Sequence, residues 1–99
     1  MADQSDVWLV VPVYNEAHGL PRLHEQLGVA ARDLAARRGL VVEVIYVDDG
    51  STDASPRVLA RLAQEHPRTR IVRQRRNSGQ SAAFDAGFRH ARGGIVVTL

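Results

Sequence analysis

This sequence predicts an α/β fold built on a parallel sheet, on three observations. Short runs rich in β-branched apolar residues recur along the chain. Between them lie stretches whose apolar residues return at helical spacing. Gly, Pro, Asn and Asp separate the two kinds of segment. Such alternation gives parallel strands joined by right-handed helical crossovers.

Val7–Val13 is a continuous apolar run and predicts a strand buried on both faces. Leu20, Leu23, Leu27, Ala30, Ala31 and Leu34 mark the core face of a first helix. Gly39 is its expected stop, with Arg37 and Arg38 at the negative end of the helix dipole. Val41–Val47 predicts a second buried strand. Asp53 or Ser55 is placed to cap a second helix, with Pro56 in its first turn. Val58, Leu59, Leu62 and Ala63 form that helix's core face, and Pro67 follows its end. Thr69–Gln74 is short and more polar, as suits an edge strand. Asn77-Ser78-Gly79 predicts a turn. Gln80–Arg92 predicts a third helix, with Ala82, Ala83, Ala86, Gly87 and Ala91 as a smooth packing face. Gly93-Gly94 ends it, and Ile95–Leu99 begins a fourth strand. The order is βαβαβαβ, a Rossmann-like parallel sheet with flanking helices.

The 99 residues suit a single small domain with a modest core. No repeat or Gly/Ser linker divides them. Cysteine is absent, so neither a disulfide nor a Cys-ligated zinc site can form. That is compatible with a cytoplasmic location. Every basic residue is Arg, and the net charge of +2 is too weak a field to argue for a nucleic-acid partner. No apolar stretch approaches the roughly 20 residues of a membrane span. The acidic N-terminus lacks the basic region of a signal peptide. The sequence stops inside an apolar strand, and we expect it to be a fragment.

Two segments stand where strands give way to loops: Pro12-Val13-Tyr14-Asn15-Glu16 and Val47-Asp48-Asp49-Gly50-Ser51-Thr52-Asp53. Ligands of open α/β sheets bind beyond the carboxyl ends of the strands, so these loops predict a shared pocket. Pro12 lacks an N–H and suits a strand's end. Tyr14 offers a flat face for a nucleobase. Glu16 can accept from a base or ribose, or it and Asn15 can serve the following helix. Asp48 and Asp49 repel one another and resist burial, so a donor must offset them: helix N–H groups, a metal or a ligand. Gly50 permits a turn with positive φ. Ser51, Thr52 and Asp53 suit the helix N-terminus. The segment Arg73–Gln80 joins cations, a turn and a helix start, a composition suited to anions. Asp85 either reaches that pocket or complements the helix dipole. His18, His24, His66 and His90 lack metal-ligand spacing and are expected at the surface or at helix ends. Gly-rich nucleotide loops of the Walker and dinucleotide types are absent.

Three segments in order, PVYNE, VDDGSTD and RNSGQSAAFDAGFRHARG, resemble family 2 glycosyltransferases from Val7 to Leu99. The third is most similar to the branch acting on polyprenyl or dolichyl phosphate. The resemblance implies the N-terminal part of a GT-A fold, residues 1–99 being its nucleotide-sugar-binding part. It implies inverting transfer from a UDP- or GDP-linked sugar to an acceptor, polyprenyl phosphate in the parent protein. By the same resemblance Pro12, Tyr14, Glu16, Asp48 and Asp49 line the nucleoside pocket. Gly79 and Gln80 would then lie near the donor's ribose or phosphates. The family's D-x-D motif, which holds Mg²⁺ or Mn²⁺, is expected after Leu99, as are the catalytic base and acceptor site. No metal ligand is therefore expected within this chain, and its isolated activity should be negligible. The parent is expected at the cytoplasmic face of a membrane. Gly94 stands where the family often has an acid.

Other readings of the same residues are a non-catalytic nucleotide-binding α/β module and a purely structural fragment. A phosphoaspartate enzyme of the D-x-D-G-T type is disfavoured, since adjacent acids in an extended segment face opposite ways. An uncovered fourth strand would offer an apolar edge for self-association.

Overall fold

The computed structural model describes residues 5–74 and the backbone of residues 95–98. Its elements are β1 (Val7–Val13), α1 (Leu20–Arg38), β2 (Val42–Asp49), α2 (Ser55–Glu65), β3 (Thr69–Gln74) and β4 (Ile95–Thr98). The strands form one sheet in the order β3-β2-β1-β4, and every pairing is parallel. β3 lies at one edge, as its polar composition predicts, and β4 at the other edge of the described sheet. The third helix expected over Gln80–Arg92, its preceding turn and Asp85 lie outside the described residues.

The period-2 alternation of β1 and β2 divides the core into two faces. Val7, Leu9, Val11 and Val13 of β1 join Val42, Val44 and Tyr46 of β2 on one face. Leu20 and Leu27 of α1 and Leu59 and Leu62 of α2 pack upon them. Trp8, Val10, Ile45 and Val47 form a second buried cluster on the opposite face, with Val72 beside it. Runs apolar at every position, rather than at alternate ones, are what a strand buried on both sides requires.

β2 runs two residues further than its apolar run indicates. Asp48 and Asp49 are its last two residues and pair with Arg73 and Gln74 of β3. Ladder hydrogen bonding with β3 overrides the poor strand propensity of aspartate. The cap of α2 also departs from expectation. Ala54 is the N-cap and its own side chain supplies no capping hydrogen bond, whereas the Asp53 carboxylate accepts the N–H of Ser55, the first residue of the helix, at 2.8 Å. Asp53 and Ser55 have other work, described below. At the far end of α1 the expectation holds: Gly39 sits at φ 66°, and its N–H reaches the Ala35 carbonyl.

Charge is buried at the amino end of the sheet. Glu43 is buried, accepts from the Ser5 hydroxyl at 2.8 Å, and pairs with Arg70. The Arg70 guanidinium also lies 5.7 Å from the Trp8 ring centre. A buried carboxylate is tolerated here because it has both a cation and a hydroxyl donor.

The expectation for the histidines fails at His24. It is buried, its Nδ1 lies 2.7 Å from the Tyr46 hydroxyl, and its ring is 4.4 Å from that of His66. It occupies an inward position one turn after Leu20, where helical periodicity outweighs polarity. Burial first, and the neighbouring His66 second, hold its pKa below the ordinary histidine value, against an opposing pull from Glu65. Burial likewise pushes the Tyr46 phenol up.

Two predictions follow from this packing. Gly39→Ala meets no neighbouring atom, yet its left-handed backbone should cost about 1 kcal/mol, measurable by urea unfolding. His24 binds its proton less readily in the fold than in the unfolded chain. Stability should therefore be full above the unfolded histidine pKa and fall as pH drops through and below it. His24→Gln should flatten that part of the stability–pH curve; an unchanged slope would contradict the assignment.

Candidate functional site

β1 and β2 are neighbours, and both end at the same edge of the sheet. The register places Pro12 beside Val47 and Val13 beside Asp48. The β1–α1 and β2–α2 loops therefore leave the sheet side by side. They are joined by a set of hydrogen bonds centred on Asn15.

The Asn15 side-chain carbonyl accepts from the Thr52 N–H at 2.8 Å and from the Asp53 N–H at 3.2 Å. The Asn15 N–H donates to the Ser51 hydroxyl oxygen at 2.9 Å. The next two N–H groups continue the seam: Glu16 donates to the Ser55 hydroxyl oxygen, at 2.9 Å, and Ala17 to the Asp53 carboxylate, at 3.3 Å. Asn15 is the one non-glycine residue of the described chain with positive φ, at 52°. Asparagine tolerates that conformation better than most residues because its short amide can bond locally. Here the amide bonds across to a second loop.

This seam is why Asp53 and Ser55 do not cap α2 in the expected way. The Asp53 carboxylate divides itself between the Ala17 N–H and the Ser55 N–H, and the Ser55 hydroxyl receives Glu16. The Ser55 hydroxyl foremost, with the backbone N–H groups of Ser55 and Ala17, holds the Asp53 pKa below the usual carboxylate value. Its contribution is present above the unfolded aspartate pKa and is lost as pH falls through the lower folded value. The start of α1 is served instead by the Glu16 carbonyl, which accepts the Gly19 and Leu20 N–H groups.

Alternation along β2 sends the two adjacent acids to opposite faces. Asp48 is fully buried on the α1–α2 face. Its Oδ1 accepts the Ser51 N–H at 3.0 Å and closes the turn. Its Oδ2 is buried with no hydrogen-bond partner among the described residues, and the Arg73 Nε stands 3.8 Å away. Asp49 is also buried and shares the other face with Pro12, Ile45 and Val47. Glu16 and Tyr14 are exposed, Tyr14 being 43 % accessible. The structure thus gathers Pro12, Tyr14, Glu16, Asp48 and Asp49 at one sheet edge. Gly79 and Gln80 lie outside the described residues, as do Arg75 and Arg76. Among the described residues no three His, Cys, Asp or Glu side chains are grouped to hold a metal ion.

Asn15 is the residue whose role the sequence understates. The available signal was compositional: Asn, Ser, Thr and Asp stand at two loops that must meet if their strands are neighbours. Reading each loop alone assigns those side chains to their own helices.

A model of glycosyl transferase family 2 matches residues 8–99. The chain belongs to glycosyl transferase family 2. It is 44% identical over 95 residues to an undecaprenyl-phosphate 4-deoxy-4-formamido-L-arabinose transferase of Sodalis glossinidius, and 38% identical over 94 residues to that of Salmonella paratyphi B. Each alignment spans 94% of this chain and 28% of the relative, so the chain corresponds to little more than a quarter of those proteins. A mannosyltransferase from Pyrobaculum calidifontis, solved with GDP-Man and Mn²⁺, superposes with a TM-score of 0.66 at 31% identity, over 96% of this chain and 27% of that one. S. aureus TarS superposes with a TM-score of 0.75 at 23% identity, over 95% of this chain and 16% of that one, a likeness of fold. The expected α/β architecture, at the N-terminal part of a GT-A domain, is thereby established.

The seam yields a stability prediction. Asn15→Ala removes the bridging amide and leaves a β-carbon at positive φ without the side-chain bonding that offsets it. The loss should be about 2–3 kcal/mol in chemical unfolding, more than a surface alanine substitution costs. Asn15→Gly removes the amide but restores backbone freedom, so it should be the milder of the two.

Proposed function

We propose that residues 1–99 form the nucleotide-sugar-binding part of a single GT-A domain, and that the parent protein transfers a sugar from a UDP- or GDP-linked donor to polyprenyl phosphate. The observation that carries this reading is the sheet edge where Asp48 and Asp49 end β2 beside the exposed ring of Tyr14. Family membership and the GDP-Man in the P. calidifontis complex support a nucleotide sugar as the ligand class. The names of the undecaprenyl-phosphate sugar transferases support the acceptor.

In this reading the Tyr14 ring stacks on the base, and Glu16 accepts from base or ribose. Asp49 receives an imino N–H of the base, the proton that uracil and guanine present and adenine lacks. Asp48 acts mainly by holding the turn that brings Ser51 and Thr52 to Asn15. Pro12 fixes the direction in which the chain leaves β1. Gly79 and Gln80 complete the donor side near the ribose or phosphates.

The reaction is an inverting displacement. An acceptor oxygen attacks the anomeric carbon, and the bond to the nucleoside diphosphate breaks with its electrons on the departing phosphate. None of the described residues is assigned as the base. Among the described residues no three His, Cys, Asp or Glu side chains are grouped to hold a metal ion, and we assign Mg²⁺ or Mn²⁺ to a D-x-D motif expected after Leu99. A divalent ion there would offset charge on the leaving group. The parent is placed at the cytoplasmic face of a membrane, where a lipid-linked acceptor is found; no helix among the described residues is long and apolar enough to cross one. β4, at an edge of the described sheet, is proposed as a route to self-association.

Calorimetric titration of UDP and GDP into the chain tests the base contact. Asp49→Asn should weaken the preferred nucleotide about tenfold, or about 1.4 kcal/mol, with the fold intact. Equal binding by the two proteins would remove the contact from the account. With donor, Mn²⁺ and polyprenyl phosphate supplied, the 99-residue chain should give no transfer product.

A further inference from the structure

Away from the strand-end loops, a cleft runs between α1 and the segment joining α2 to β3. One part, of about 570 Å³, is lined by Arg22, His24, Glu25, Gly28, Arg32 and His66 among others. A second part, of about 330 Å³, shares His24, Gly28, Arg32 and His66 with the first. It continues over Ala31, Ala35, Leu40, Val42 and Val44, with Arg68 at its rim. Val42 and Val44 belong to the amino-terminal half of β2, whereas Asp48 and Asp49 end that strand at the opposite edge. This cleft is therefore distinct from the proposed donor site, and the inference does not rest on that reading.

The two parts differ in chemistry. Cations and imidazoles line both parts: Arg22, Arg32 and Arg68 outnumber Glu25 and the neighbouring Glu65, and His24 and His66, common to the two, stand 4.4 Å apart. Tyr46 engages the His24 Nδ1, which leaves Nε2 as the ring atom for a further partner. The second part adds the aliphatic side chains of Ala31, Ala35, Leu40, Val42 and Val44. Gly28 sits in the middle of α1, where glycine costs about 1 kcal/mol relative to alanine. A β-carbon there would come within 3.3 Å of the Arg32 Nη1, so the guanidinium lies across the space that glycine leaves open. An excess of cations beside an apolar trough selects a ligand with the complementary division.

We propose that the α1–α2 cleft binds an amphiphilic anion, its oxyanion head at Arg32 and the His24–His66 pair and its alkyl portion over Ala31, Ala35, Leu40 and Val42. The Arg fork supplies paired donors to an oxyanion, and the aliphatic lining removes the chain from water.

The test titrates octyl sulfate, below its micellar range, into the 99-residue chain, with inorganic sulfate and 1-octanol as separate arms. Amide shifts in a ¹⁵N spectrum report affinity and place. Octyl sulfate should bind at least about tenfold more tightly than either arm, with shifts confined to α1, residues 40–44 and residues 62–69. Gly28→Leu fills the cleft with a better helix former, so it should melt no lower than the parent while losing most of the binding. Arg32→Gln should weaken octyl sulfate at least about fivefold and leave octanol unchanged. Equal binding of octanol would overturn the anionic head, and equal binding of inorganic sulfate would overturn the apolar trough. Undiminished binding by Gly28→Leu, or shifts spread over the surface, would overturn the site itself.

Discussion

The geometry at the carboxyl edge of the sheet depends on one side-chain amide. Asn15 receives two N–H groups from the β2–α2 loop, and its own N–H returns to Ser51. Loops of separate crossovers have no covalent reason to move together. These two are joined by hydrogen bonds in which backbone donors of one find side-chain acceptors on the other along Asn15, Glu16 and Ala17. Tyr14 and Asp49 stand at the base of the loops so joined. A binding site assembled from loops needs such support if its contacts are to be held within a fraction of an ångström.

The same edge illustrates how two adjacent carboxylates can both be buried. Extended backbone separates them to opposite faces of the sheet. Asp48 is held by the turn it closes, with an arginine nearby and one oxygen lacking a hydrogen bond among the described residues. The acids therefore differ in role although they are neighbours in sequence. One shapes the loop, and the other faces the side of the sheet shared with Pro12. The contrast with Glu43 is instructive: that carboxylate, far from the edge, has both a hydroxyl donor and a paired guanidinium.

Much of the architecture is legible from periodicity alone. β1 and β3 occupy the residues their patterns indicate, and α1 ends at Gly39 for the stated conformational reason. The faults arise where tertiary contacts compete with local preference. β2 absorbs Asp48 and Asp49 because β3 offers them partners, a pairing no local pattern encodes. Asp53 serves the first N–H of α2 and also, with Ser55, takes donors that are close only once β1 and β2 are adjacent. Residue type points His24 to the surface or a helix end, yet helical position puts it on the inward stripe marked by Leu20, Leu23 and Leu27, where it is buried. The meeting of the two loops is legible in their compositions, while the seam that joins them is not, since long-range hydrogen bonds leave no spacing signal.

The central claim is that the Asn15 seam makes a single platform that holds the nucleoside of the donor. Mapping amide shifts while UDP and GDP are titrated into the chain tests it most directly. The account predicts that one nucleotide perturbs Tyr14, Asn15, Glu16, Asp49 and Thr52 together, along one binding curve. Shifts confined to other parts of the chain, or the two loops responding at different nucleotide concentrations, would contradict it.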